Sequence, residues 1–337
     1  MKLHSFVVFN DYYKGKKILV TGGSGSIGKK IVRELIKYDV ESIRVLDNNE
    51  TELFNLDNEL NSSKVKIYIG DIKDDQRLKT VFKDIDIVFH AAAYKHVPLC
   101  EYNPLDAVKT NVLGTQNVID MAILSDVKKV ILISTDKAVN PSNVMGATKF
   151  LAERLMIASN INSDEYGTKF SCVRFGNVLN SRGSVIPLFK NQLMHGGPIT
   201  LTDEDMTRFI MSIQQAAKLI LQAGFLSKGG EIFILKMPAF KLSDLVDAMV
   251  EYYAPQYGYD KDDIEVEIIG KRPGEQLYEE LITPDEILKV YDNGDLFIIR
   301  DELNEDHEDF VYNSNEIDHL SKEEIKEILI KMDKIEV

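Results

Sequence analysis

Polar and ionisable residues crowd into one short stretch, Ile133-Ser134-Thr135-Asp136-Lys137-Ala138-Val139-Asn140-Pro141. A second cluster follows at Val144-Met145-Gly146-Ala147-Thr148-Lys149. A carboxylate beside an ammonium, with a second lysine a helical turn after a glycine, offers proton donors and acceptors around a substrate carbon. The plainer alternative is an Asp that caps a turn and a Lys that is solvated, both common in such loops.

A second constellation lies near the start of the chain. Thr21-Gly22-Gly23-Ser24-Gly25-Ser26-Ile27-Gly28 follows an apolar run and opens an amphipathic stretch. A glycine repeat alone is weak, but here it stands between a strand and a helix. Gly22, Gly25, Ser26, Ile27 and Gly28 are therefore expected to receive the pyrophosphate of a dinucleotide at the helix N-terminus; a bare glycine turn is the alternative. Asp47, about 20 residues further on, is placed to accept hydrogen bonds from an adenosine ribose, with Asn48 and Asn49 beside it. No Arg or Lys adjoins Asp47 to neutralise a 2′-phosphate, which favours NAD over NADP; Arg44 or a lysine from elsewhere in the fold is the route by which NADP would be accommodated.

Asp71 and Ile72 follow the third apolar run and Ala91, Ala92 and Ala93 the fourth, where small residues would let a flat cofactor lie against backbone. Asp71 reads equally well as a cap for a helix from Lys73 to Phe82. Asn111 falls inside a helical stretch, which its side chain disfavours, so a hydrogen bond to the backbone of the central strand is expected, with a solvent-facing Asn as the alternative.

These groups need a scaffold. Over the first 175 residues short apolar runs alternate with longer amphipathic stretches, the pattern of βαβ units in a parallel sheet. Strands are expected at Lys17–Thr21, Ser42–Leu46, Lys64–Ile69, Ile85–Ala91, Lys129–Ser134 and Thr168–Arg174, and helices at Ile27–Tyr38, Pro104–Ser125 and Met145–Ala158. The fold class expected is α/β, a doubly wound Rossmann sheet with a smaller C-terminal substrate-binding region. Residues 1–175 would bind the cofactor and 176–300 mainly the substrate, with Ile232–Leu235 able to return to the sheet; 301–337 form an acidic tail in which Leu320-Ser321-Lys322-Glu323-Glu324 starts a capped helix.

Composition narrows the class. At 337 residues the chain can bury a full core. Cys100 and Cys172 stand far apart with no metal-spaced partners, so neither a disulfide framework nor a zinc site is expected, and a cytoplasmic location fits. The net charge of −14 argues against nucleic acid and against an anionic membrane surface. No apolar run approaches the roughly 18 residues of a membrane helix, and the start, MKLHSFVVFNDYYKGKK, lacks the apolar core and cleavage site of a signal peptide.

The runs TGGSGSIG, HAAAYKHVPLCEYNP, STDKAVNPSNVMGATK, RFGNVLNSRGSVIP and RPGE together resemble the inverting UDP-N-acetylglucosamine 4,6-dehydratases. These belong to the polysaccharide-biosynthesis branch of the extended short-chain dehydrogenases/reductases. The resemblance spans about residues 15 to 285, and STDKA separates this branch from ordinary sugar 4-epimerases. It implies a UDP-N-acetylhexosamine substrate and a tightly held NAD or NADP. Hydride leaves C4 for the cofactor, a base removes the C5 proton, water leaves from C6, hydride returns to C6, and C5 is reprotonated on the opposite face.

By the same resemblance Lys137 is the C5 base, Asp136 the acid for the C6 hydroxyl, and Lys149 the lysine of the nicotinamide ribose. Ser134 or Thr135 would bond sugar oxygens, and Lys95 would face cofactor and sugar. Asn177, Arg182, Arg208, Arg272 and Glu275 match positions that hold UDP, arginine being suited to phosphate and carboxylate to ribose hydroxyls, with Val185 and Thr200 as further substrate-binding residues. Met145 stands where the wider superfamily carries a tyrosine; a thioether cannot take the 4-hydroxyl proton, although a subgroup of this branch is similar in having Met there. The C4 base is thus open among Asp136, Lys137, Lys149 and water. A homo-oligomer is expected. The competing functions are a UDP-sugar 4-epimerase or reductase and a silent nucleotide-binding scaffold.

Overall fold

The computed structural model describes residues 9, 11–161, 163–179, 185–271, 275–304 and 310–336. The chain forms two compact units that interleave along the sequence. The first takes the chain up to Phe175 together with Ile213–Lys236 and Thr283–Phe310; the second takes Gly176–Ser212, Met237–Ile282 and the chain from Val311.

The first unit is built on a nine-stranded sheet. Its strands are β1 (Lys17–Thr21), β2 (Ser42–Asp47), β3 (Val65–Ile69), β4 (Ile87–His90), β5 (Lys129–Ile133), β6 (Lys169–Arg174), β10 (Ile232–Leu235), β13 (Val290–Asp292) and β14 (Leu296–Ile299). Their order is β13-β14-β10-β6-β5-β4-β1-β2-β3, and every pair from β3 to β10 is parallel. β14 and β13 then add antiparallel at the β10 edge. The doubly wound α/β class is therefore the observed one. Strands covered on both faces read as apolar runs: β1 is KILVT and β5 KVILI, with all but the first residue of each buried. Strand order reverses between β1 and β4, so the carboxyl ends of β1, β4 and β5 frame the crevice in which such sheets hold ligands.

The helix Val144–Ala158 buries Met145, Thr148, Lys149, Ala152, Glu153 and Met156, one stripe at helical spacing, and Asn143 caps it by accepting Gly146 N at 2.8 Å. The single helix expected over Pro104–Ser125 is divided: α-helix at Pro104–Ala107, a π-helical stretch at Val108–Leu113, and α-helix again at Gly114–Leu124. A π-turn shifts the helical face by one residue over only a few positions, too local a change to show in a period read over several turns.

The second unit contains a three-stranded sheet, β11 (Ala239–Lys241), β9 (Thr207–Met211) and β7 (Asn177–Val178), and a parallel pair of β12 (Val266–Ile268) with β8 (Ile199–Leu201). Phe189, Leu193, Leu245, Met249, Tyr253, Ile325 and Leu329 share its apolar core. The helix Lys322–Glu336 starts with a reciprocal cap: Ser321 N donates to Glu324 Oε2 at 2.9 Å and Glu324 N to Ser321 Oγ at 3.3 Å.

Candidate active site

The glycine loop leaves the carboxyl end of β1. Gly22 has φ +65°, and a Cβ there would lie 2.5 Å from Ala92 N, so glycine is needed both for the turn and for the approach to the loop after β4. Gly25 precedes the helix Ser26–Leu35 and supplies no side-chain cap, leaving the amides of Ser26, Ile27 and Gly28 in an uncapped first turn that suits an anion. Asp47 ends β2 and ties this loop in place: its carboxylate accepts Ser24 N at 3.0 Å and Asn49 N at 3.1 Å, while each oxygen retains capacity for a ribose hydroxyl. Asn49 itself caps the helix Glu50–Leu60. Arg44 donates to the carbonyls of Val81 and Lys83 at 2.9 and 2.6 Å, which commits its guanidinium to the end of another helix.

Asp71 accepts Lys73 N at 2.9 Å and Asn48 Nδ2 at 3.3 Å, beside the buried Ile72, and the cap of the following helix is Asp74, not Asp71. Asn111 does not reach the central strand. Its side chain accepts Tyr94 N at 2.8 Å and donates to Tyr94 O at 3.0 Å and Thr148 Oγ1 at 2.9 Å, which pins the Ala91-Ala92-Ala93-Tyr94 loop to the helix Val144–Ala158. The expected bond to the central strand is replaced by one to the loop that follows it: β4 ends at His90, and Tyr94, whose backbone Asn111 meets, lies four residues further on.

At the end of β5 the polar cluster folds back on itself. Ser134 is buried and its hydroxyl has no hydrogen-bond partner among the described residues, an orphan that a ligand oxygen or amide would satisfy. Thr135 Oγ1 donates to Asp136 Oδ1 at 2.6 Å, and Lys137 Nζ to Asp136 Oδ2 at 2.8 Å; Asp136 is buried while Lys137 is partly exposed. A Cβ at Gly146 would strike the Lys137 carbonyl, so glycine lets the helix Val144–Ala158 close upon this turn. From that helix Lys149 donates to Ile133 O at 2.6 Å; burial pushes its ammonium down to about 8, with Glu153 and then Cys172 pulling in the other direction. Met145 packs with Cys100 and Ala107 in a small apolar cluster, which Val97 and Val144 border. Lys95, in the loop after β4, is exposed.

The second unit holds a cavity of about 570 Å³ whose lining includes Asn177, Val185, Thr200, Arg208 and Glu275 together with an apolar floor of Ile186, Phe189 and Ile210. Arg208 is fixed by donation to the carbonyls of Thr207 and Leu277 at 2.7 and 3.1 Å, and stands 3.5 Å from Glu279 and 3.6 Å from Glu275. Glu279 also accepts Asn177 Nδ2 at 2.7 Å, a link with no sequence signal. Arg182 and Arg272 lie outside the described residues.

Two buried groups escape the motif reading. His90 ends β4 between two threonine hydroxyls; a polar residue closing an apolar run was a signal to heed. Glu153 stands one helical turn beyond Lys149 and is gripped by Arg174. Among the described residues no group of His, Cys, Asp and Glu has metal-binding geometry, and no helix is long and apolar enough to cross a membrane.

Fold, glycine loop and the lysine-bearing helix define an α/β protein of the extended short-chain dehydrogenase/reductase type. Residues 18–301 match the polysaccharide biosynthesis protein family, and the chain belongs to it. A Methanocaldococcus jannaschii protein named an uncharacterized membrane protein is 58% identical over 96% of this chain and 98% of its own length. A Campylobacter jejuni protein named UDP-N-acetylglucosamine 4,6-dehydratase (inverting) is 40% identical over 85% of this chain and 83% of its own. The crystal structure of Pen from Bacillus thuringiensis has a TM-score of 0.90 at 42% identity, covering 96% of this chain and 99% of that one. A Rickettsia bellii protein named UDP-glucose 4-epimerase is also similar, at 37% identity over 95% of this chain and 97% of its own.

Proposed function

We propose that this protein is an NAD(P)-dependent UDP-N-acetylglucosamine 4,6-dehydratase that inverts C5, making a UDP-4-keto-6-deoxy-N-acetylhexosamine for surface-glycan synthesis. The observation that carries the reading is the Asp136–Lys137 pair, 2.8 Å apart at the carboxyl end of β5. Epimerisation and simple reduction have no use for such a pair, whereas elimination needs an acid and a base together.

With one proton on their shared hydrogen bond, the two groups are carboxylate and ammonium, or acid and amine. In the second form Lys137 Nζ takes the C5 proton while Asp136 gives its proton to the departing C6 hydroxyl, and the pair is left as ammonium and carboxylate. One proton transfer between them restores the acid and amine. The nicotinamide supplies, when bound, the acceptor for the C4 hydride and the donor of that hydride to C6; the ketone at C4 is what acidifies C5. The proton released from the 4-hydroxyl balances the one that C5 regains on its opposite face.

Lys149, buried and fixed on Ile133 O, would orient the nicotinamide ribose, and the orphan hydroxyl of Ser134 would bond cofactor or sugar. Support for NAD comes from Asp47 at the loop and from Arg44 being engaged elsewhere. Asn177, Arg208 and Glu275 of the second unit would hold UDP.

A single incubation with UDP-N-acetylglucosamine tests this. Product lacking one water, with C5 inverted by NMR, is expected. The Rickettsia similarity gives the competing reading: a product of unchanged mass, inverted at C4, would make the protein a 4-epimerase.

A further inference from the structure

Four buried polar groups form a continuous chain across the first unit. Thr21 Oγ1 lies 2.7 Å from His90 Nδ1, His90 Nε2 lies 3.1 Å from Thr115 Oγ1, and Thr115 Oγ1 donates to Asn111 O at 2.7 Å. All four residues are buried. The direction of every hydrogen bond follows from the far end. A carbonyl oxygen only accepts, so the single hydroxyl proton of Thr115 points to Asn111 O. Thr115 Oγ1 can then meet His90 only as an acceptor, which puts a proton on Nε2. Burial foremost, and then the nearby Lys149 charge, hold the imidazole down to about 3, so the ring is neutral and Nδ1 is bare. Thr21 must therefore donate to it.

The two ends of this chain are functional elements. Thr21 immediately precedes Gly22 of the glycine loop. Asn111 sits in the π-helical stretch, and its side chain holds both the Tyr94 backbone and Thr148, the neighbour of Lys149. We propose that His90 is a positioning residue, held with its proton on Nε2, that links the glycine loop through Thr21 to the turn bearing Asn111 and so to the helix that carries Lys149. A histidine suits this place because a neutral imidazole donates on one side and accepts on the other, whereas two hydroxyls facing each other directly would leave the order of donors undefined.

The test uses Thr115→Val, which keeps the shape of the side chain and removes the acceptor, and Thr115→Ser, which restores the hydroxyl. In full-length protein labelled with 15N-histidine, His90 should show a protonated Nε2 and an unprotonated Nδ1, unchanged from about pH 5 to about pH 9. Thr115→Val should lower kcat for UDP-N-acetylglucosamine by about 10- to 100-fold with KM changed less than about twofold, and Thr115→Ser should recover most of the rate. A proton on Nδ1, a ring that titrates in that range, a Thr115→Val enzyme of full activity, or a Thr115→Ser enzyme as impaired as Thr115→Val would each overturn the proposal. The kinetic arm rests on the dehydratase reading. The NMR arm does not, so wild-type protein that leaves the substrate unchanged but shows the stated tautomer defeats that reading and spares this one.

Discussion

Glu153 lies one turn beyond Lys149 on the helix Val144–Ala158, and both side chains are buried on the same face of it. Arg174 holds Glu153 with Nε at 3.0 Å from each carboxylate oxygen and a terminal nitrogen at 2.7 Å from Oε2, and on its other side reaches Glu286 at 2.7 and 2.9 Å. Two cations thus face two carboxylates inside the sheet unit, and the carboxylate nearest Lys149 cannot swing away.

This sets the first prediction. Glu153 raises the Lys149 pKa against the larger depression from burial that brings it to about 8. Glu153→Gln removes only the raising influence, so Lys149 should lose its proton below pH 8. Where the lysine acts as a cation, the alkaline limb of kcat/KM moves to lower pH; a limb that stays in place contradicts the coupling. The variant should also melt earlier, since removing one partner of a buried ion pair typically costs about 3–5 kcal/mol.

Lys137→Ala should abolish product, lowering kcat by at least about 10²-fold, while UDP-sugar affinity is nearly intact, because the amine acts in the chemical step and the nucleotide carries most ground-state binding. Calorimetric titration and a product assay on one sample measure both. A large affinity loss with residual turnover would recast Lys137 as a binding group.

Met145 is enclosed by Cys100 and Ala107 and is only 3% exposed. Tyrosine there would be overpacked, at a cost of about 1–3 kcal/mol, and should give no gain in hydride transfer, whereas Met145→Leu should be mild. Single-turnover rates with substrate deuterated at C4 report this directly. Marked acceleration by Met145→Tyr would mean that the site lacks its C4 base.

A redox-neutral cycle favours a cofactor that never leaves, so nicotinamide dinucleotide should co-purify with the protein. Heat-denatured protein should release NAD into the supernatant. Recovery of NADP alone would overturn the reading of Asp47 and point to a cation other than Arg44.

The strands were legible where burial on both faces imposes a continuous apolar run: β1 spans Lys17–Thr21 as expected, and the other five expected strands shift only at their ends. The glycine loop and the Asp136–Lys137 pair were legible because adjacent residues carry them. What was hidden depends on distance along the chain. Arg174 and Glu286 are 112 residues apart, and β14 finds β10 across an intervening piece of the second unit; neither pairing leaves a local periodicity. The turn around Asn111 was hidden for the opposite reason, since the widening is confined to six residues, too local to show in a period read over several turns.

The order in which the chain builds its large sheet bears on synthesis and on fragments. When residues up to Phe175 have emerged, β6 is an open edge of bare backbone donors and acceptors, because its neighbour β10 starts only at Ile232. β10 in turn waits for β14 at Leu296. A nascent or truncated chain ending between these points presents an unpaired strand able to pair with another chain, an aggregation risk that closes only when the last antiparallel strands arrive. Expression of residues 1–175 alone is therefore a poor route to soluble material, and cleavage in the segments that join the returning strands would reopen the same edge.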